Sequence, residues 1–173
     1  MRNQEIIIDL SLHSAQEKWK PPMDPWYKLN VDAAIDKEGG IAGLGCIVRN
    51  SDGAVMASAT IKKLVSGDVE QAEALAILEG VKIACDSGLQ PLIVESDAIN
   101  VVNLINGKLS SKGEIIWIIS EIQNYVRKNK FLVIKYVPRT VNVAAHHLAK
   151  LALLSKESSI WMEETPQELE HFL

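Results

Sequence analysis

The chain has 173 residues, 47% hydrophobic and 23% charged, which is the balance of one globular domain with a sizeable core. No apolar run reaches the ~18 residues of a membrane span, and Ile6-Ile7-Ile8 is too short, with acids on either side, to be the core of a secretory signal. The net charge of −4 excludes a global cationic field, yet it is unevenly placed: residues 157–173 hold five Glu and no Lys or Arg, and the remainder carries 18 basic against 17 acidic residues. Any phosphate binding must therefore come from local patches. The expectation is an intracellular protein, of cytoplasm or nucleus, with no membrane partner. Cys46 and Cys85 have no CxxC spacing and read as buried thiols.

In chain order, residues 1–27 show no sustained periodicity, and the Pro-rich run from Trp19 to Trp26 forms neither helix nor central strand. They read as an extended arm that leads into the first strand and can pack a Trp on the domain. Residues 28–35 alternate as a strand, residues 42–50 form a second after Gly39-Gly40, and the Asn50-Ser51-Asp52-Gly53 turn leads into a third over 54–63. Short turns between them make an antiparallel meander.

The period then changes from 2 to 3.6. Ala74, Ile77, Leu78, Val81 and Cys85 form one stripe of a helix over 68–87, with Asp68 as its N-cap and Gly88 as its stop. Residues 91–95 follow as a short strand parallel to the first. Helices over 97–106 and 114–127, a strand over 131–137 and a helix over 141–154 complete a domain spanning 28–156. The order is βββαβααβα, an α/β fold in which a five-stranded mixed sheet carries helices on both faces. The acidic tail, 157–173, is expected as a mobile appendage or a small add-on helix.

Asp32 falls mid-strand between apolar residues, where a carboxylate is rarely buried unless it is paired or holds a metal. Taken alone, it reads as a residue on an exposed sheet face. Three later stretches alter that reading. Glu73 lies near the start of the first long helix, Asp97 directly follows the parallel strand, and Asn142 and His146 stand four apart on the last helix, on one face. Ligands collect outside the carboxyl ends of parallel strands, where Asp97 lies and which Asp32 can reach. Converging carboxylates in a partly dry cleft persist only if cations neutralise them. Hard oxygen donors select Mg²⁺ or Mn²⁺, and two such ions can activate water and stabilise a leaving oxygen in phosphodiester cleavage. Against this stands the possibility of three unrelated surface acids among 22.

Read together, W-K-P-P, K-L-N-V-D-A-A, G-I-A-G-L-G-C-I-V-R-N-S-D-G, Q-A-E-A-L-A-I, V-E-S-D-A and I-K-Y-V-P-R-T-V-N-V-A-A-H-H-L-A-K resemble type-1 ribonuclease H, in particular the plant ribonuclease H-like domain related to retroelement reverse transcriptases. The resemblance covers about residues 19–154. It implies a ribonuclease H-like fold and metal-dependent cleavage of the RNA strand of an RNA–DNA hybrid, leaving a 3′-hydroxyl and a 5′-phosphate. It implies two Mg²⁺ ions, or Mn²⁺, held by the catalytic residues Asp32, Glu73 and Asp97, with His146 at the place of a fourth acidic ligand. Gln71, Arg139 and Asn142 are the candidate nucleic-acid contacts, and recognition of the RNA 2′-hydroxyls is directed by shape. The chain is expected to act as a monomer.

Five departures from the classical pattern bear on activity, the first being Val69, Glu70 and Gln71 before the helix Glu, where polar residues usually touch RNA and only Gln71 offers a neutral amide. His146 favours Mn²⁺ over Mg²⁺. Tyr136 stands where a proton-shuttling His is usual, and it does not shuttle near pH 7. D-A-A replaces D-G-S, which hinders close backbone approach. The short segment 106–113 carries only Lys108 and Lys112 in place of a basic handle. Two other readings follow: a weakened or inactive module that binds RNA–DNA hybrid or RNA, and a protein-interaction domain. His146 and His147 point ~100° apart on a helix and lack a third ligand, so no zinc site is expected. Lys62, Lys63, Arg127, Lys128 and Lys130 read as a solvated face, and Trp117 as partly buried in the core.

Overall fold

The computed structural model describes residues 16–110 and 113–173. The readings made for residues 1–15 of the arm and for Lys112 lie outside the described residues. The elements are β1 (Tyr27–Asp36), β2 (Ile41–Arg49), β3 (Val55–Leu64), α1 (Val69–Asp86), β4 (Leu92–Ser96), α2 (Ile99–Ile105), α3 (Ile115–Lys128), β5 (Leu132–Tyr136), a 3-10 turn at Arg139–Val141, α4 (Val143–Leu154), β6 (Ser159–Met162) and a closing 3-10 turn at Gln167–Phe172. One six-stranded sheet runs β5-β4-β1-β2-β3-β6. β1, β2, β3 and β6 pair antiparallel in succession, whereas β4 lies parallel to both β1 and β5. Among the described residues no helix is long and apolar enough to cross a membrane.

Strand alternation sorts β1 into two faces. Leu29 and Val31 enter the larger apolar core beneath α1, α2 and α3. Gly80 of α1 lies over them, and a Cβ there would press on Val31, Leu29 and Cys46. Asn30 and Asp32 point to the opposite face, which α4 covers. The G-L-G of β2 sets the closeness of that packing. A Cβ on Gly45 would fall on the Ala145 carbonyl and the Ala149 nitrogen, and one on Gly43 on the Ala149 carbonyl. Gly45 is the register partner of Asp32, so the backbone of α4 rests directly beside the Asp32 carboxylate.

Two expectations need correction. The sheet has six strands, not five, because the tail begins with a strand: Ser159–Met162 pairs with β3, and only then comes a short helical segment, the 3-10 turn at Gln167–Phe172, whose Leu169 is buried against Ile47, Ala144 and Leu148. Trp117 is 78% exposed. The buried stripe of α3 is Ile115, Ile119 and Ile122, and a residue two positions after Ile115 lies about 200° around the helix from it. Of the cysteines, Cys46 is buried and Cys85 half-buried.

Candidate active site

Asp32, Glu73 and Asp97 come from three elements. β1 supplies Asp32 from a fully buried strand position. α1 supplies Glu73, four residues after a start capped by Asp68, whose carboxylate accepts from the Glu70 backbone nitrogen at 2.9 Å. The end of β4 supplies Asp97, and the parallel pairing Val31↔Ser96 brings that end level with Asp32. A cleft of about 430 Å³ opens between the first turns of α1 and α2, lined by Glu70, Glu73, Asp97, Asn100 and Arg139 among others. A cavity of about 440 Å³ elsewhere, between Trp19, Arg49 and Phe172, includes none of the three acids.

Each carboxylate is held differently. Asp32 Oδ2 lies 2.7 Å from His146 Nδ1, and Asp32 Oδ1 is buried without a partner. Glu73 Oε2 is likewise buried and unpartnered. Asp97 Oδ1 accepts from Asn142 Nδ2 at 3.0 Å, and Asp97 Oδ2 from Arg139 Nε at 3.2 Å. Burial, then the charges of Asp32 and Asp97, push the Glu73 carboxyl up to about 9. It therefore keeps its proton at neutral pH and can donate to Asp32, a bond that two carboxylates cannot make. Burial and then Asp97 also raise Asp32, against the hydrogen bond from His146.

Arg139 thus stands where a cation is needed, and His146 holds Asp32 through its ring. Among the described residues no three acid, His or Cys side chains are already closed around a metal position, because Asp97 faces Asn142 and Arg139 and Asp32 faces His146. The donors nonetheless suit a hard cation: two buried carboxylate oxygens have no donor other than a proton held by Glu73, and without a cation that proton is needed to relieve their repulsion. With Nδ1 on Asp32, the Nε2 of His146 is left for a ligand.

The other anticipated contacts are placed as follows. Arg139 is 70% exposed at the mouth of the cleft. Gln71 is absent from the cleft lining, its amide engaged with Ser66 and Glu114. Asn142 is 1% exposed, and its Nδ2 also donates to the Val31 carbonyl at 2.8 Å. It precedes α4 instead of lying within it, yet its carbonyl accepts from the His146 nitrogen, which keeps the two together. Tyr136 is exposed at the end of β5. His147 turns from His146 to stack on Phe172 at 3.5 Å. Asn100 went unnoticed in the sequence. It lines the cleft and donates to Glu70 at 3.0 Å, and the one available sign was its place three residues after Asp97.

A family model described as reverse transcriptase-like matches residues 30–152. No curated protein matches the chain in sequence. Solved structures do match it in shape. A ribonuclease H1 from Halobacterium salinarum is 22% identical, with 73% of this chain and 96% of that one covered and a TM-score of 0.67. The N-terminal ribonuclease H domain of a Mycobacterium tuberculosis protein is 22% identical over 73% and 92%, with a TM-score of 0.66. A ribonuclease H1 isolated from compost, solved with an RNA/DNA hybrid, is 18% identical over 75% and 99%, with a TM-score of 0.66. The fold is ribonuclease H-like.

Proposed function

The chain belongs to the reverse transcriptase-like family, and from that premise we propose that it is a metal-dependent endonuclease that cuts the RNA strand of RNA–DNA hybrids. The observation that carries this reading is the convergence of Asp32, Glu73 and Asp97 beside one cleft, with two buried carboxylate oxygens that, without a cation, have only a proton on Glu73 to relieve them. Packing gives no reason to gather three acids there, since each is costly to bury. The hybrid held by the compost ribonuclease H1 supports the same class of partner for this chain.

Asp32, Glu73 and Asp97 would hold Mg²⁺ or Mn²⁺, in the two-ion arrangement, with His146 as the fourth ligand. Cations bound there supply charge neutralisation, a more acidic water and a stabilised leaving oxygen. The protein groups supply order. Asp32 fixes the His146 ring through Nδ1, and Asn142 fixes Asp97 through Oδ1. Arg139 offers an exposed guanidinium to a phosphate at the cleft mouth. As water adds to phosphorus the P–O3′ bond breaks, leaving a 3′-hydroxyl on one fragment and a 5′-phosphate on the other.

A second reading, a hybrid- or RNA-binding module without turnover, draws support from Arg139 seated on Asp97 and from a histidine at the fourth place. End-labelled RNA–DNA hybrid, duplex RNA and duplex DNA, each incubated with the protein and Mg²⁺ or Mn²⁺, separate the two. The proposed function requires cleavage of the RNA strand of the hybrid alone. Hybrid retained on the protein but intact with both ions gives the second reading.

A further inference from the structure

Beneath Asp97, on the α4 side of the sheet, lies a set of buried polar side chains that the reaction does not use. Glu95 is 2% exposed. Its Oε1 lies 3.1 Å from Lys28 Nζ and 3.5 Å from Lys135 Nζ, and its Oε2 accepts from Asn30 Nδ2 at 2.9 Å. Asn30 is fully buried. The same Nδ2 reaches Asn142 Oδ1 at 3.2 Å, while Asn30 Oδ1 accepts from Arg49 Nη2 at 3.0 Å. Asn142 in turn donates to Asp97. Strand register builds the line, since Lys28 is level with Arg49, Asn30 with Glu95, and Glu95 with Lys135. The arm closes it from outside: the Trp19 ring lies 3.4 Å from the Arg49 guanidinium, and Lys28 Nζ donates to the Lys20 carbonyl at 2.7 Å.

Packing alone does not ask for this arrangement. Buried ion pairs are commonly no more stabilising than apolar residues of the same volume, and the other face of the same strands is filled by Leu29, Val31 and Val94. What the buried set does provide is orientation. An amide oxygen bound to Asn30 forces the Asn142 Nδ2 toward Val31 and Asp97, which excludes the flipped amide that would turn an oxygen lone pair on the Asp97 carboxylate. Asn30 is oriented in its turn by a carboxylate on one side and a guanidinium on the other.

We infer that Glu95, Asn30 and Asn142 form a positioning relay that fixes the carboxylate of Asp97 for its ligand, with Trp19 as the seal over the outer end. The inference rests on the proposed function, in which Asp97 holds a divalent cation. Partners of this kind commonly alter metal affinity or turnover ten- to a hundredfold when removed.

The test combines Mn²⁺ titration calorimetry, hybrid-cleavage kinetics and the ¹³C resonance of the Asp97 carboxyl in the metal-free protein. The variants are Asn30→Leu, the isosteric Glu95→Gln should the first not fold, and Ser58→Ala as a buried polar control outside the relay. The relay predicts at least a tenfold weaker Mn²⁺ affinity and a lower kcat with KM for the hybrid unchanged, a displaced Asp97 resonance, and none of these in Ser58→Ala. Wild-type affinity, kcat and Asp97 resonance in a folded Asn30→Leu or Glu95→Gln protein would overturn it. Failure of the wild-type protein to bind Mn²⁺ removes the functional reading instead, and the Asp97 resonance then decides the relay by itself: displaced in the variants, it stands; unmoved, it falls.

Discussion

Glu73 gives the site its pH dependence in the metal-free protein. Its ordinary pKa of 4.5 applies in the unfolded chain, and burial with the nearby charges of Asp32 and Asp97 brings it to about 9 in the fold. Between those values the native state binds more protons than the unfolded state, so stability falls as pH rises. In the presence of a chelator, the urea midpoint should drop between pH 6 and pH 8.5, and Glu73→Gln should remove most of that drop; an unchanged pH profile in the variant contradicts the assignment. Arg139 neutralises Asp97 while no cation does. Arg139→Gln is therefore expected to tighten Mn²⁺ binding by up to about fivefold, the worth of an exposed ion pair, while raising KM for the hybrid. Calorimetry and steady-state kinetics read the two effects, and movement of neither would remove Arg139 from both roles. Legibility was uneven at this scale. The three acids were legible only in part by type and place, since Asp32 taken alone reads as a solvent-facing strand residue and Glu73 as one more helix acid, and it was the resemblance that grouped them. Asn142 was not legible, because sequence gives an amide no direction, and an asparagine that feeds a carboxylate looks the same as one that faces RNA.

At the scale of elements, the contact of α4 with β2 decides whether His146 meets Asp32. Gly43 and Gly45 let the two backbones touch, and the helix presents Ala145, Ala149 and Ala152 to them. A methyl group at Gly45 meets main chain, which cannot rotate away, so Gly45→Ala should cost about 1–3 kcal/mol and move His146 from Asp32. Urea unfolding checks the stability, and a loss below about 0.5 kcal/mol would show that α4 shifts freely. The tail is held by Leu169 against Ile47, Ala144 and Leu148. Leu169→Ala should cost about 2–5 kcal/mol, the range for a buried leucine, and a near-neutral result would mean that the strand β6 alone retains the segment. Helices with a clear stripe and β-branched strands were readable because burial imposes a period on them. β6 was not: it has four residues, alternately half-buried and exposed at the sheet edge, inside an acidic stretch. Trp117 misled for a related reason, since the buried isoleucines of α3 lie on the other side of the helix and the adjacent Ile116 is itself exposed.

For the whole molecule, the sheet order explains why the site lies where it does. β4 ends opposite Val31, halfway along β1 and beside Asp32, the antiparallel meander carries β1 into the middle of the sheet, and helices on opposite faces contribute Glu73 and His146 to the same place. That frame was legible, because a meander followed by a helical crossover has few right-handed solutions. What the frame holds when loaded was not legible, because chemistry is set by ligands and fine geometry that the fold leaves open. The most direct measurement is the rate of hybrid cleavage in Mg²⁺ and in Mn²⁺ for the wild-type protein and Asp32→Asn. The account predicts cleavage of the RNA strand that is faster with Mn²⁺, because a histidine nitrogen stands at the fourth ligand place, and that is lost in Asp32→Asn. Equal cleavage by Asp32→Asn, or none by the wild-type protein with either ion, would contradict it.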